Sequence, residues 1–415
     1  MIWWHVCPLG ALGADTTGAD RSCRRPLTDL VGWLDHAVDL GASGLALGPI
    51  FSSGSHGYDT LDHYAIDERL GTLDDFHTLV EECHRRGLRI MLDGVFNHVA
   101  ATHPLVADPE DALRRSAVLP GAEGRRLAVF EGHDQLVTLN HDNPEVADLV
   151  VDVMDHWLDQ GADAWRLDAA YAVPDRFWRS VLPRVRIAHP DAYVLGEVIH
   201  GDYAARVRAS GMDTLTQYEL WKAIWSSIAD ANMHELAWAL QRHNESLATF
   251  TPWTFVGNHD VTRIATRLAG KPAHLALVLL ATLPGTPAIY YGDELGWEGL
   301  KEDRVGGDDQ IRLELPARPP EQLPPVYQFH KQLLGLRRRH PSLTDTAVVV
   351  EHVSQGVLAY SAGGMDGVTV VLNAGTDRTS VSLPTGPVLA NYLAGADGER
   401  AHLQPGGWVI TGPAC

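Results

Sequence analysis

Positive charge is scarce in this 415-residue chain: 33 Lys and Arg stand against 53 Asp and Glu, a formal net charge of −20 at pH 7. A protein that tracks a phosphate backbone needs the opposite balance, because Lys and Arg must displace its counterions, so nucleic acid is excluded as a partner and neutral ligands fit better. Cysteine is sparse too. Cys7, Cys23, Cys83 and Cys415 have neither zinc-ligand spacing nor the density of a disulfide scaffold, and are read as reduced thiols. The longest apolar stretch, residues 274–289, is broken by Pro284 and Pro287 and falls short of the ~20 residues a membrane helix needs. Met1 runs straight into Ile2-Trp3-Trp4-His5-Val6, with no basic segment followed by an apolar core, so no secretory leader is read and a cytoplasmic location is expected. What is present is enough apolar material, 45% against 21% charged, to bury a large core and exclude a disordered chain.

Short β-rich apolar runs alternate with amphipathic segments, the mark of βα units and a parallel sheet. Candidate strands fall at 2–7, 44–49, 89–95, 162–168, 193–197, 214–218, 253–257 and 287–291, with helical patterns at 28–40, 73–86, 144–160, 176–188, 221–230 and 271–282. Eight repeats in about 340 residues predict a (β/α)8 TIM barrel, whose site would lie at the C-terminal strand ends. An open doubly wound sheet is the alternative, but no G-x-G-x-x-G follows a strand and no phosphate loop is present. Residues 99–143 are too long and too rich in Pro, Gly and charge for an ordinary βα loop and are assigned to an inserted subdomain. The barrel then comprises 1–98 and 144–341. From 342 to 415 short apolar and alternating runs predict a small C-terminal antiparallel β-domain, a β-sandwich. Arg337-Arg338-Arg339 at a helix C-terminus is read as a solvated face complementing the helix dipole.

The chemistry sits at the strand ends. Asp93, Asn97 and His98 follow the third strand, Arg166 and Asp168 the fourth, Glu197 the fifth, and His259 and Asp260 the seventh. Singly, each acid would be an N-cap or turn residue. Closing the barrel brings them together, and clustered carboxylates raise one another's proton affinity at a cost in stability, so function explains them better. Two facing carboxyl groups suit glycoside hydrolysis, one ionised and one protonated. Arg166 shares a strand face with Asp168 and is expected to keep it ionised, whereas Glu197 has no cation in its local sequence, the setting of a group kept protonated.

Asp93-Gly94-Val95-Phe96-Asn97-His98, Trp165-Arg166-Leu167-Asp168-Ala169-Ala170, Gly196-Glu197-Val198 and Val256-Gly257-Asn258-His259-Asp260 resemble, in order and spacing, the four sequence regions of the α-amylase superfamily of retaining glycoside hydrolases. Gly57-Tyr58-Asp59-Thr60, Ile66-Asp67, Leu70-Gly71-Thr72 and Tyr290-Tyr291-Gly292-Asp293-Glu294 add to the likeness, which spans residues 1–340. The resemblance implies Asp168 as nucleophile, Glu197 as general acid/base and Asp260 as transition-state stabiliser. It also implies Tyr58 stacking under the sugar, His98 and His259 bonding its hydroxyls, Arg166 orienting Asp168, and Asp93 in a structural role. Its implied reaction is double displacement on α-1,4-linked malto-oligosaccharides or related α-glucosides, with a bell-shaped pH dependence.

Some positions depart from the family pattern. Tyr171 and Ala172 stand where many members carry Lys-His. Asn97 alone survives of the family's calcium site, so no metal or other cofactor is assigned, and Asp15 and Asp20 are read as a solvated turn. By the same resemblance, Ala169 after the nucleophile and Ser55 three residues before Tyr58, where exo-acting α-glucosidases of that family often carry Asp, both imply α-1,4 over α-1,6 substrates. Trp221 and Trp225 are read as core packing and Trp297 as a sugar-subsite candidate. The expected partner is an oligosaccharide, with no nucleic acid and no membrane; a monomer is expected because no N-terminal β-domain precedes Ile2. Two alternatives stay open: a transglycosylase or glycoside isomerase using the same pair, and a catalytically silent carbohydrate-binding protein.

Overall fold

The computed structural model describes residues 1–107, 117–119, 121, 127–304, 306–382 and 386–413. All eight expected strands form, most of them a little shorter than their apolar runs: β1 (Trp3–Val6), β2 (Gly44–Leu47), β3 (Arg89–Gly94), β4 (Ala164–Leu167), β5 (Tyr193–Gly196), β6 (Thr214–Leu215), β7 (Trp253–Phe255) and β8 (Thr286–Tyr290). Each pairs in parallel with its neighbour in the chain, and β8 returns to β1. A parallel bridge between Thr216 and Trp253 joins β6 to β7 and closes the ring. The Thr214 hydroxyl donates to the Thr251 carbonyl at 2.7 Å, so a side chain stands in where this ladder is thin. The open-sheet alternative is thereby removed.

Alternation along each strand divides its side chains between two cores. Trp3, Ala46, Met91, Ala164, Leu195 and Trp253 fill the barrel interior, while Trp4, Leu45, Ile90 and Leu92 pack in the larger core shared with the helices. Trp3 fits because Gly44 lies beside it in register; a Cβ there would stand 2.5 Å from the indole.

Helices Val31–Leu40, Leu73–Arg85, Pro144–Asp159, Asp175–Ala188, Tyr218–Asp230 and His274–Thr282 answer to the six helical patterns. Leu73–Arg85 starts on a capping box, the Thr72 hydroxyl accepting from the Asp75 amide and the Asp75 carboxylate from the Thr72 amide. His274–Thr282 is apolar on every side because it is covered on every side: Leu275 to Thr282 are all buried, and the Thr282 and Tyr360 hydroxyls bond across to the C-terminal sheet. Among the described residues no helix is long and apolar enough to cross a membrane. Helices Tyr203–Ser210 and Met233–Leu247 were not anticipated. The buried face of the second includes His243, which dilutes the apolar period.

After β3, His98–Ala100 and Leu136–Thr138 pair antiparallel and frame the inserted segment; most of residues 108–126 fall outside the described residues, as does Cys415. Cys7, Cys23 and Cys83 carry free thiols. At the C-terminus, β9 (Val349–Val353), β10 (Val357–Ala362), β11 (Val368–Asn373), β12 (Thr379–Ser382), β13 (Val388–Ala396) and β14 (Arg400–Thr411) form one continuous antiparallel sheet rather than two separate ones. Twelve-residue β14 allows this, pairing β12 along its first half and β11 along its second. Leu358, Tyr360, Val370 and Trp408 face the barrel helices, while Val357, Ala359, Val371 and Val409 make a core of their own.

Arg337 corrects the solvated reading of its cluster. It is buried at the end of helix Pro325–Arg339, donating to the carbonyls of Ala281 (3.0 Å), Leu283 (2.7 Å), Leu343 (3.0 Å) and Gly285, and so ties the barrel to the turn that leads into the sheet. A terminal arginine has the reach to satisfy carbonyls that helix and loop leave unpaired. Arg337→Met is expected to lower stability by about 3–5 kcal/mol, since it strands several buried acceptors at once; calorimetric unfolding checks this, and an unchanged Tm would show that the carbonyls find other donors.

Candidate active site

Register delivers the carboxylates. Asp93 on β3 is the direct neighbour of Arg166 on β4. The Asp168 amide donates to the Gly94 carbonyl and the Glu197 amide to the Leu167 carbonyl, both at 3.0 Å, so both acids stand just past the last paired residues. Arg166 reaches sideways from this row. Its Nη1 donates to both Asp93 oxygens at 2.7 Å and to Asp168 Oδ1 at 3.3 Å, and its Nη2 lies 2.9 Å from Glu197 Oε1.

Two expectations change here. Arg166 is not reserved for Asp168, which holds the longest of its contacts, and Glu197 does have a cation. Sequence neighbours on one strand share a face, but a guanidinium spans to the strands on either side. Burial, and next the repulsion of Glu197, raise Asp168 well above the usual carboxylate range despite Arg166. Asp93 is also raised, burial again leading. Asp260, with about a third of its side chain open to solvent, is pushed up to about 6 by burial and Glu197, against the pull of Arg312. Asp93, Asp168 and Asp260 therefore all hold their protons more tightly than isolated aspartates do.

Glu197 is held at both oxygens. Oε2 accepts from the Ala169 amide at 2.9 Å, and Oε1 accepts from the Tyr218 hydroxyl at 3.1 Å, itself fixed by Asn258 Nδ2 at 2.8 Å. Ala169 points its amide this way from a left-handed conformation with φ 45°, a strain of about 1–2 kcal/mol in a non-glycine residue. Across the cleft, Asp260 takes His259 Nε2 at 3.0 Å and Arg312 Nη2 at 3.4 Å. Tyr58 bonds Asp93 at 3.1 Å through its hydroxyl, which also bonds His259, and its ring lies parallel to His259 with centroids 5.5 Å apart. His98 is neutral, its affinity for a second proton lowered by burial to about 4. Its Nε2–H donates to the Tyr58 carbonyl at 3.0 Å while Nδ1 accepts from Asn97.

All seven residues singled out from sequence thus converge. Asp168, Glu197, Asp260, Tyr58 and His98 line a cleft of about 390 Å³, and Arg166 and His259 lie at a small hollow in the barrel interior. Trp297 does not join them; it packs on Tyr291 and under Arg263. Reasoning from sequence missed Tyr218, Arg312 and Phe130, which stacks on His98 with centroids 4.7 Å apart. Only Asn258, inside a quoted motif, hinted at Tyr218; Arg312 and Phe130 sit in irregular segments without periodicity. Tyr171 gives its hydroxyl to Glu131 at 2.7 Å and so anchors the inserted segment beside the cleft. Among the described residues no three His, Cys, Asp or Glu side chains converge on a metal position. Asn97 is engaged by His98, and the Asp15 carboxylate is taken up by the amides of Thr17 and Asp20.

Strands Phe51–Ser53 and Thr60–Ile66 pair antiparallel as a hairpin whose loop carries Tyr58, and this hairpin is pinned from below. Asp67 and Arg69, both fully buried, form an ion pair at 2.6 Å. Asp67 accepts the amide and hydroxyl of Ser53 at 3.0 Å, and Arg69 Nη1 donates to the carbonyls of Asp15 and Ser55.

Comparison with known proteins agrees with this geometry. The family model described as alpha amylase, catalytic domain, matches residues 23–115 and 126–332. A cyclomaltodextrinase from Geobacillus thermopakistaniensis is 30% identical over 423 residues, covering 92% of this chain and 69% of that protein. An intracellular maltogenic amylase from Bacillus subtilis is 31% identical over 368 residues, covering 81% and 59% respectively. Among solved structures, ligand-free cyclic α-maltosyl-(1→6)-maltose hydrolase from Arthrobacter globiformis superposes with a TM-score of 0.84 at 28% identity, over 100% of this chain and 98% of that one.

Replacing Arg69 by Met leaves Asp67 charged and buried without its partner, and is expected to cost about 3–5 kcal/mol. Equilibrium denaturation reads the loss, and a variant as stable as the parent would show that the pair does not hold the Tyr58 hairpin.

Proposed function

Because the chain belongs to the α-amylase family of glycoside hydrolases, we propose that it cleaves α-1,4-linked malto-oligosaccharides with retention of configuration, Asp168 acting as nucleophile, Glu197 as general acid/base and Asp260 as stabiliser of the distorted sugar. The observation that carries this reading is the single guanidinium of Arg166 touching Asp93, Asp168 and Glu197 at the strand ends. In the first step Asp168 attacks the anomeric carbon while Glu197 gives its proton to the departing oxygen; in the second, Glu197 takes a proton from water, which displaces Asp168. Positive charge developing on the sugar favours the ionised form of Asp168, the attacking group, against the effect of burial. Tyr218 and the Ala169 amide keep that carboxyl in place.

Tyr58, His98 and His259 supply the stacking face and hydroxyl partners at the scissile residue, with Arg166 positioning Asp168. The names of the relatives, a cyclomaltodextrinase and a maltogenic amylase, together with Ala169 after the nucleophile, support short or cyclic α-1,4-linked chains. A cytoplasmic monomer is part of the proposal, supported on location by the intracellular relative.

Product analysis by mass spectrometry and anomeric NMR, on maltopentaose and a cyclodextrin, is expected to give shortened α-anomeric products. Longer products would move the reading to transglycosylation, and β-anomers would remove the retaining mechanism. Glu197→Gln should lower turnover by at least about 10³-fold while sugar binding persists; unchanged turnover sinks the assignment. The raised carboxyls set the acid limb. Activity needs Asp168 and Asp260 ionised, and Asp260 is already pushed up to about 6, so the acid limb of kcat/KM should lie near pH 6 or higher, not in the ordinary aspartate range. Arg312→Ala, which removes a cation beside Asp260, should move the limb further upward; a limb near pH 4 in both proteins contradicts the clustering.

A further inference from the structure

Beyond the cleft, helices Tyr218–Asp230 and Met233–Leu247 enclose a second groove of about 610 Å³. Its walls are continuous with those of the cleft, since Ile199 and Tyr218 line both. Trp238 stands in it with 61% of its surface exposed, far more than packing explains, and Ile199 at the lip is 40% exposed. Around the indole the polar groups are already fixed. Arg242 lies over Trp238, 5.5 Å from its centroid, and is held by Glu219 at 2.8 and 3.1 Å. Lys222 pairs with Glu235, which also accepts the Ser226 hydroxyl at 2.9 Å.

We propose that this groove binds the glucose residues of a malto-oligosaccharide on the leaving-group side of the scissile bond, with Trp238 as the platform. The proposal rests on the reading of the chain as a malto-oligosaccharide hydrolase and adds a place for the rest of the substrate. A glucose ring is apolar on its faces and hydroxylated around its rim, which matches an exposed indole bordered by orientated ion pairs. A protein partner with an apolar patch would instead have to strip water from these charges. The side follows from Tyr218: its hydroxyl holds Glu197, the acid that protonates the departing oxygen, and its ring is the shared wall. A chain leaving the cleft past Glu197 therefore crosses Ile199 onto Trp238.

The test compares a short substrate with a long one. Trp238→Ala should lower kcat/KM for maltoheptaose about tenfold, mainly through KM, while maltotriose changes by less than about twofold; Trp238→Phe should recover most of the loss. Trp238 is exposed, so circular dichroism of the variant should match the parent. Equal effects on both sugars, or none on either, overturn the groove and leave the hydrolase reading standing. If the parent cleaves neither sugar, the hydrolase reading falls first, and calorimetric titration of maltoheptaose then decides the groove: binding lost in Trp238→Ala supports it, and binding that is absent or unaffected overturns it.

Discussion

Everything in this molecule answers to the contact of one buried arginine with three acids. Arg166 neutralises only part of the charge gathered at the strand ends, so Asp168 is raised by burial and by Glu197, and Asp260 by the same causes more weakly. Without Arg166 the acids would repel one another with no buried cation among them to compensate. With it they can stand close together, which is what a double displacement needs: one carboxyl to give a proton and one to attack. The arrangement is costly to stability and useful to chemistry, and the large core around it supplies the difference.

The scaffold holds that contact by fixing what surrounds it. Asp67 and Arg69 secure the Tyr58 hairpin, Asn258 and Tyr218 secure Glu197, and Arg312 ties Asp260 to the backbone of His259. Each is a short chain of hydrogen bonds from a strand end outward, and each leaves one functional group free to face the cleft. Ala169 is one of four non-glycine residues with a left-handed backbone among the described residues, and its amide lands on Glu197. The inserted segment contributes differently, through Phe130 on His98 and Glu131 on Tyr171, which builds the cleft wall from a part of the chain with no barrel periodicity.

Much of this was legible in the residues. The eight strands follow from β-rich apolar runs and six of the helices from the 3.6-residue period, both local signals. Helix Met233–Leu247 and the buried Arg337 escaped notice for one cause: in each, a polar residue sits on a buried face and is satisfied by a partner far away in sequence, His243 by Pro284 and Arg337 by Ala281. Trp297 looked like a subsite from its place after β8, yet Gly292 leaves room for its ring to fold back; a Cβ there would lie 2.2 Å from it.

By itself the sequence determined the order of the βα units, the acids at the strand ends and the family they resemble, because those depend on neighbours within a few residues. Which cation each acid meets was decided only when the ring closed. Asp93 and Arg166 are 73 positions apart, and it is the strand register that sets one guanidinium between β3 and β5. The charge state of Asp168 depends on that placement and on burial, neither of which exists until the barrel is complete.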